Sequence, residues 1–210
     1  MLIEIFLLGP LGNNTIVIAS EKTHEAAVID PSFGSEEVVV PYLKKKHLQL
    51  KAILLTHSHW DHIAGAADLK KSLPAPIYIH PLDLGNLEEP GSDRLPLIFA
   101  IEAVKADHLV KDGELIRIGE IVLQVLHTPG HTPGSVCYFG EKEKILFSGD
   151  TLFQGTMGSL NLPTSQPEKM WPSLKKLSRL PQETKVFPGH GKATTIGRES
   201  WLDKAEEFYS

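Results

Sequence analysis

Apolar runs broken by glycine, proline and asparagine divide this chain into short strands with helical stretches between them. Residues 2–8 and 14–19 read as strands joined by the turn-rich Gly9-Pro10-Leu11-Gly12-Asn13-Asn14. Residues 26–30 form a third short strand, stopped by Pro31. A helix is expected after Ser35, a good N-cap residue type, with Pro41 kinking it. Residues 51–55 predict a buried strand. Ile63, Ala66, Ala67, Leu69 and Leu73 then recur at helical spacing, and residues 76–79 suggest another strand. Residues 84–105 are irregular, with Pro90, Gly91 and Pro96 marking loops. The second half repeats the theme. Strands are expected near 115–118, 121–127, 135–139 and 144–148, a helix over 167–180, a last strand at 185–187 and a short helical tail over 197–210. Strands intermixed with helices in two successive halves predict a mixed α/β class. No composition shift or repeat divides the chain, so one domain over 1–210 is expected.

Composition narrows the function classes. A chain of 210 residues with 41% apolar and 22% charged residues suits a globular domain with a proper core. At this size roughly 70% of the extended-chain surface is buried, so no staples are needed. The net charge is −5, and the one dense basic run, Lys44-Lys45-Lys46 beside His47, reads as a solvated helix end. No basic face is available for phosphates, so no nucleic-acid partner is expected. The single cysteine, Cys137, allows no intrachain disulfide and fits a reducing compartment. The apolar start lacks a basic region and is interrupted by Glu4 and Gly9-Pro10, unlike a signal peptide. No apolar run is long enough to cross a bilayer, so the expectation is a cytoplasmic protein without a membrane partner.

The densest chemistry lies in Thr56-His57-Ser58-His59-Trp60-Asp61-His62, directly after the apolar Ala52-Ile53-Leu54-Leu55. His57 and His59, two apart, project to one side of an extended chain, and Asp61 and His62 fall in the first turn of a helix. Neutral imidazoles and carboxylates suit zinc and similar cations. One ion cannot easily use four side chains this close together, so two ions sharing the segment are expected, with further ligands downstream. Three later apolar strands end in a Gly-flanked His or Asp: His127-Thr128-Pro129-Gly130-His131, Ser148-Gly149-Asp150-Thr151 and Pro188-Gly189-His190-Gly191. Ligands at strand ends in tight loops are how a preorganised site is built. His127 is open between a ligand and a support of its loop. His24, His47 and His108 read as surface residues. His80, before Pro81, reads as a helix-start residue or a support behind the ligands. Trp60 and Cys137 read as packing residues.

These residues together resemble the metallo-β-lactamase superfamily, whose His-x-His-x-Asp-His signature stands here as His57 to His62. The resemblance spans about residues 5–195. It implies a four-layer αββα sandwich with the site at one edge of two sheets. It also implies that His57, His59 and His131 hold one metal, that Asp61, His62 and His190 hold the other, and that Asp150 bridges. Asp30, in Val28-Ile29-Asp30-Pro31, matches a family Asp that supports the metal loop; the alternative is a turn residue. Within the superfamily, Thr56-His57-Ser58-His59, His127-Thr128-Pro129-Gly130-His131-Thr132 and Gly149-Asp150-Thr151-Leu152-Phe153 are similar to the glyoxalase II (hydroxyacylglutathione hydrolase) branch. Two departures stand out. That branch usually has a Gly-Arg pair where this chain has Gly158-Ser159, with an acidic residue nearby where this chain has Asn161. The full-length enzymes also carry a C-terminal helical domain that contacts glutathione, for which 210 residues leave no room.

The resemblance implies hydrolysis of a small-molecule acyl thioester by a metal-bridging hydroxide. Two divalent ions are expected, zinc first, with iron or manganese as alternatives. Asp150 would bridge the ions, and Asp61 would bind metal and orient the hydroxide, making these two the catalytic carboxylates. An iron-dependent persulfide dioxygenase, a lactonase and a phosphodiesterase are the alternatives on the same site. True β-lactamase activity is disfavoured, because zinc β-lactamases lack a residue matching Asp150. A binding protein on a retired enzyme fold is disfavoured because all seven ligand positions are filled.

Overall fold

The computed structural model describes residues 1–209. Its first sheet comprises β1 (Leu2–Leu8), β2 (Asn13–Ala19), β3 (Glu25–Ile29), β4 (Gln49–Leu54), β5 (Ile77–Ile79) and β6 (His108–Leu109), in that spatial order. The second comprises β7 (Leu115–Ile118), β8 (Ile121–His127), β9 (Val136–Gly140), β10 (Ile145–Gly149), β11 (Lys185–Pro188) and β12 (Thr194–Thr195), again neighbour to neighbour. Helices α1 (Ser35–Lys45), α2 (Trp60–Ile63), α3 (Ala66–Ser72) and α4 (Leu84–Glu88) fall in the first half, and α5 (Pro167–Ser178) and α6 (Ala205–Tyr209) in the second. β3, β4, β5 and β6 run parallel, as do β10 and β11. Parallel neighbours need a crossover, and α1, α2 with α3, α4 and α5 supply them.

The layering follows from which face each side chain takes. Along β2, Ile16 and Ile18 point between the sheets, where they join Ile29, Leu54, Val125, Tyr138 and Phe147. Val17 and Ala19 point the other way and pack with Val28, Ile53 and Leu55 against Val39 and Leu43 of α1 and Leu69 of α3. On the far side of the second sheet, Cys137, Phe139, Leu146 and Val186 meet Met170, Leu174 and Leu177 of α5 and Ala205 of α6. The result is a helix–sheet–sheet–helix sandwich, the αββα arrangement. It explains why residues 16–19 and 52–55 are continuous apolar runs: these strands are covered on both faces. Burying each large aliphatic or aromatic side chain contributes about 1.5–3 kcal/mol.

Several local expectations need correction. Gly34, in the left-handed region at φ 83°, occupies the N-cap of α1. Ser35 is the first helical residue, and its hydroxyl donates to Ser32 O at 2.6 Å. The helix runs on through Pro41 to Lys45. The helical spacing from Ile63 to Leu73 is divided into α2 and α3. The Gly65 amide there donates to Pro31 O at 2.8 Å, and a Cβ at that position would lie 2.3 Å from Ser32 O. A 3-10 turn at Pro81–Asp83 precedes the stretch read as irregular, and that stretch opens with α4. The tail holds 3-10 turns at Ile196–Arg198 and Leu202–Lys204 before α6; its last residue, Ser210, lies outside the described residues. Among the described residues no helix is long and apolar enough to cross a membrane.

Candidate metal centre

The parallel strands and β8 deliver their C-terminal ends to one edge of the sandwich. Asp30 follows β3, the 57–62 segment follows β4, His131 follows β8, Asp150 follows β10 and His190 follows β11. Because β3 and β4 are parallel neighbours, Asp30 lies beside Thr56. Asp30 Oδ1 accepts from Thr56 N at 2.7 Å, and its Oδ2 accepts from Thr56 Oγ1 at 2.6 Å. The same Oδ2 lies 2.9 Å from His62 Nδ1, so Asp30 fixes both ends of the segment. Asp30 holds φ 49°, a left-handed conformation that Asp tolerates better than most residues.

Two groups of ligand atoms gather above this base. One is His57, His59 and His131, all buried; the other is Asp61, His62 and His190. Within each group the ligand atoms all lie within 4.8 Å of one another. Asp150 sits between the two, with Oδ1 3.4 Å from His62 Nε2 and Oδ2 3.5 Å from His131 Nε2 and 3.8 Å from His190 Nε2. Asp61 Oδ2 is 3.0 Å from His190 Nε2 and 3.4 Å from His62 Nε2. Gly189 permits this convergence, since a Cβ there would meet Asp150 Oδ1 at 2.3 Å and His62 Cε1 at 2.6 Å.

The donor set fits metal cations. The Nε2 atoms of His57, His59, His62 and His131 and Oδ1 of Asp150 are buried without a hydrogen-bond partner. Orphaned buried polar atoms are costly; those of His62 and His131 face Asp150, and with His57 and His59 grouped beside them they mark a place where a cation completes the bonding. The rear nitrogens are mostly held. His57 Nδ1 lies 3.1 Å from Thr56 Oγ1, His62 Nδ1 faces Asp30, and His131 Nδ1 lies 2.9 Å from Ser159 O. Such contacts fix the tautomer that presents the other nitrogen to a metal.

The two halves differ electrically. Burial, and then the neighbouring imidazoles, hold His57 well below the ordinary histidine range. Burial and His131 push His59 down to about 3. Both therefore stay neutral and ready to ligate. Burial opposes the charge of His62 and His190 too, yet the carboxylates win there. Asp61, Asp150 and Asp30 raise His62 well above its usual value, and Asp61 and Asp150 raise His190. Asp61 and Asp150 are themselves lowered by these imidazoles against the opposing effect of burial. The carboxylate-rich half already favours positive charge.

All seven sequence-predicted ligand residues meet at this edge. His127 does not: its Nε2 lies 3.0 Å from Pro133 O and its ring stacks on His80 at 4.0 Å, so it supports its loop. His80 caps the 3-10 turn, with Nδ1 accepting from Leu82 N at 3.4 Å. Trp60 is buried and packs edge-on against Phe99. His24, His47 and His108 are exposed.

Sequence reasoning missed Asp83 and Asn86. Asp83 Oδ2 accepts from Ser58 N at 3.0 Å and from Thr132 Oγ1 at 2.8 Å, and Oδ1 accepts from Gly134 N at 2.6 Å. It thus ties the loop of His57 and His59 to the loop of His131. Asn86 donates to Ser58 O, pinning the same residue through its following peptide. Asn13 and Asn14, read as turn residues, also serve the site, Asn13 with Nδ2 3.1 Å from His62 Nδ1. Asn14 Nδ2 donates to Pro188 O and Gly191 O, both at 3.0 Å, and its backbone N–H donates to Gly189 O at 2.7 Å, so it holds the His190 loop.

Residues 8–190 match the model of the metallo-β-lactamase superfamily. The probable metallo-hydrolase YqgX of Bacillus subtilis is 36% identical, with 90% of each chain covered. The hydroxyacylglutathione hydrolase of Vibrio cholerae is 36% identical over 90% of this chain and 66% of its own length. Among solved structures, the BLEG-1 B3 metallo-β-lactamase superposes with a TM-score of 0.87 at 39% identity, covering 94% of this chain and 96% of its own. TTHA1623 in a di-iron-bound form superposes with a TM-score of 0.83 at 36% identity, covering 95% and 98%.

Proposed function

The chain belongs to the metallo-β-lactamase superfamily of metal-dependent hydrolases, and on that premise we propose that it hydrolyses a small acyl thioester of the hydroxyacylglutathione kind. The observation that carries this reading is the set of buried imidazole nitrogens without partners, gathered around Asp150. His57, His59 and His131 would hold one divalent cation and Asp61, His62 and His190 a second, with Asp150 facing both. Zinc is the cation proposed first. Iron is the alternative, because a chain 36% identical is known in a di-iron form. A bound pair supplies water acidified towards neutrality and a Lewis acid for the acyl oxygen.

The protein's own groups do the rest. Asp61, within reach of His62 and His190, would bind the second cation and orient the attacking hydroxide; the proton lost from its parent water passes to solvent. Asp30 and Ser159 O keep His62 and His131 in the tautomer that faces the site. Water adds to the acyl carbon, the carbon–sulfur bond breaks, and the thiolate leaves with little need of acid. No side-chain nucleophile is required. Cys137 lies between the second sheet and α5, its thiol pushed up to about 11 by burial, so it forms no acyl intermediate.

The test is metal-loaded protein against a thioester panel that includes S-lactoylglutathione. Hydrolysis of at least one thioester supports the proposal; no turnover of any sinks it. Asp150→Ala should abolish turnover while circular dichroism and melting show a retained fold, and full activity in that variant would remove Asp150 from the mechanism. A second reading is β-lactam hydrolysis, favoured by the 39% identity to a chain described as a B3 metallo-β-lactamase. It predicts turnover of a chromogenic cephalosporin at least equal to that of the best thioester.

A further inference from the structure

Beside His59 the surface opens into a cavity of about 170 Å³. Its lining includes the hydroxyls of Ser58, Ser92, Thr132 and Thr164, with Asn86 and two buried carboxylates, Asp83 and Asp93. No lysine or arginine lines it. Asp83 accepts three hydrogen bonds. Asp93 Oδ1 accepts from Leu95 N at 3.0 Å and Oδ2 from Asn86 Nδ2 at 3.0 Å. Burial raises both carboxyls above the ordinary carboxylate range, the hydrogen-bond donors facing them pull the other way, and every contact they make is as an acceptor.

His59 supplies an independent pointer to a ligand. His57 and His131 each have a rear nitrogen held by the protein, but neither ring nitrogen of His59 has a hydrogen-bond partner, and its Nε2 is buried. A cation can satisfy one nitrogen only. His59 itself lines the cavity, and a substrate atom there would complete the second nitrogen, which has no protein partner.

We propose that this cavity is the subsite for an uncharged or cationic, hydrogen-bonding arm of the substrate, and that it discriminates against anionic thiols such as glutathione. The inference rests on the thioesterase reading and deepens it. The carboxylates of Asp83 and Asp93 repel a substrate carboxylate brought beside them, and the cavity lining offers no lysine or arginine to offset that repulsion. A neutral amide or hydroxyl arm can donate to these oxygens and accept from His59 and the surrounding hydroxyls. An ammonium group gains from both carboxylates.

Matched acyl thioesters of glutathione, N-acetylcysteamine and cysteamine test this, together with their non-hydrolysable thioether analogues in calorimetric titrations against the metal-loaded protein. The neutral and cationic members should exceed the glutathione member at least about tenfold in kcat/KM and in affinity. Asp93→Asn should shrink the ratio. Ser92→Lys, at the exposed rim, should shift it towards glutathione without burdening the fold. Equal or tighter binding of the glutathione analogue, a ratio unmoved by both variants, or no binding by any analogue overturns the inference. Hydrolysis that favours the glutathione thioester would overturn it while leaving the thioesterase reading intact. Charge-dependent analogue binding without hydrolysis of any thioester would sink that reading and leave the subsite standing.

Discussion

Asp30 and His62 share a buried contact of 2.9 Å between Oδ2 and Nδ1, with Asp30 only 2% exposed. Its second oxygen is committed to the Thr56 amide, so the carboxylate cannot turn away. Nδ1 of His62 therefore carries the proton, and Nε2 is left facing Asp61 and Asp150.

Asp30→Asn reverses that choice without changing volume or forbidding the left-handed backbone. One face of the amide still accepts from Thr56 N, but the other presents a donor to His62. The imidazole then keeps its proton on the wrong nitrogen. The expected result is a loss of about 10–100-fold in affinity for the second cation, with the first retained. Chelator competition with each metal equivalent measures it, and two unchanged affinities would remove Asp30 from the centre.

Asp83 predicts a stability effect as well as a metal effect. Asp83→Asn leaves either the Ser58 amide and the Thr132 hydroxyl, or the Gly134 amide, facing a donor in a buried place. Each unmatched donor costs about 1–3 kcal/mol, and the His57–His59 and His131 loops lose their common anchor. The urea midpoint should fall, and metal affinity at the first group with it. An unchanged midpoint would show that water replaces the carboxylate without cost.

The ligand residues were legible in the sequence because their chemistry is local: a strand end, a glycine, then a His or Asp. Asp83 and Asn86 were not, because they sit on a 3-10 turn and a five-residue helix, too short to show any period. β6 and β12 contain two residues each and leave no hydrophobic pattern to detect. The four-layer order was carried by the family resemblance. Periodicity alone could identify doubly covered strands such as β2 and β4, but not which helices cover them. Gly34 and Ser35 are both acceptable at a helix start, and the backbone conformation rather than side-chain type decides between them.

His80 adds a pH dependence outside the metal ligands. Burial, and then His127 stacked on it, push its imidazole down to about 4. In the unfolded chain the value is about 6.5. Between these values the unfolded state binds more protons, so stability is fully present above about 6.5 and is lost as pH falls towards 4. His57 and His59 act in the same direction, so the informative comparison is between variants. His80→Asn keeps an acceptor for Leu82 N and does not titrate. Its melting temperature should fall less between pH 7 and about 4.5 than that of the parent. Equal falls would contradict this assignment.

In the proposed centre, loops from β4, β8, β10 and β11 together hold a pair of cations. Metal content of the purified protein by mass spectrometry, alongside His59→Ala and His190→Ala, tests it most directly. About two divalent ions per chain are expected, falling to about one in each variant, with the fold retained. A parent protein that takes up no transition metal, or a count unchanged by His190→Ala, would contradict it.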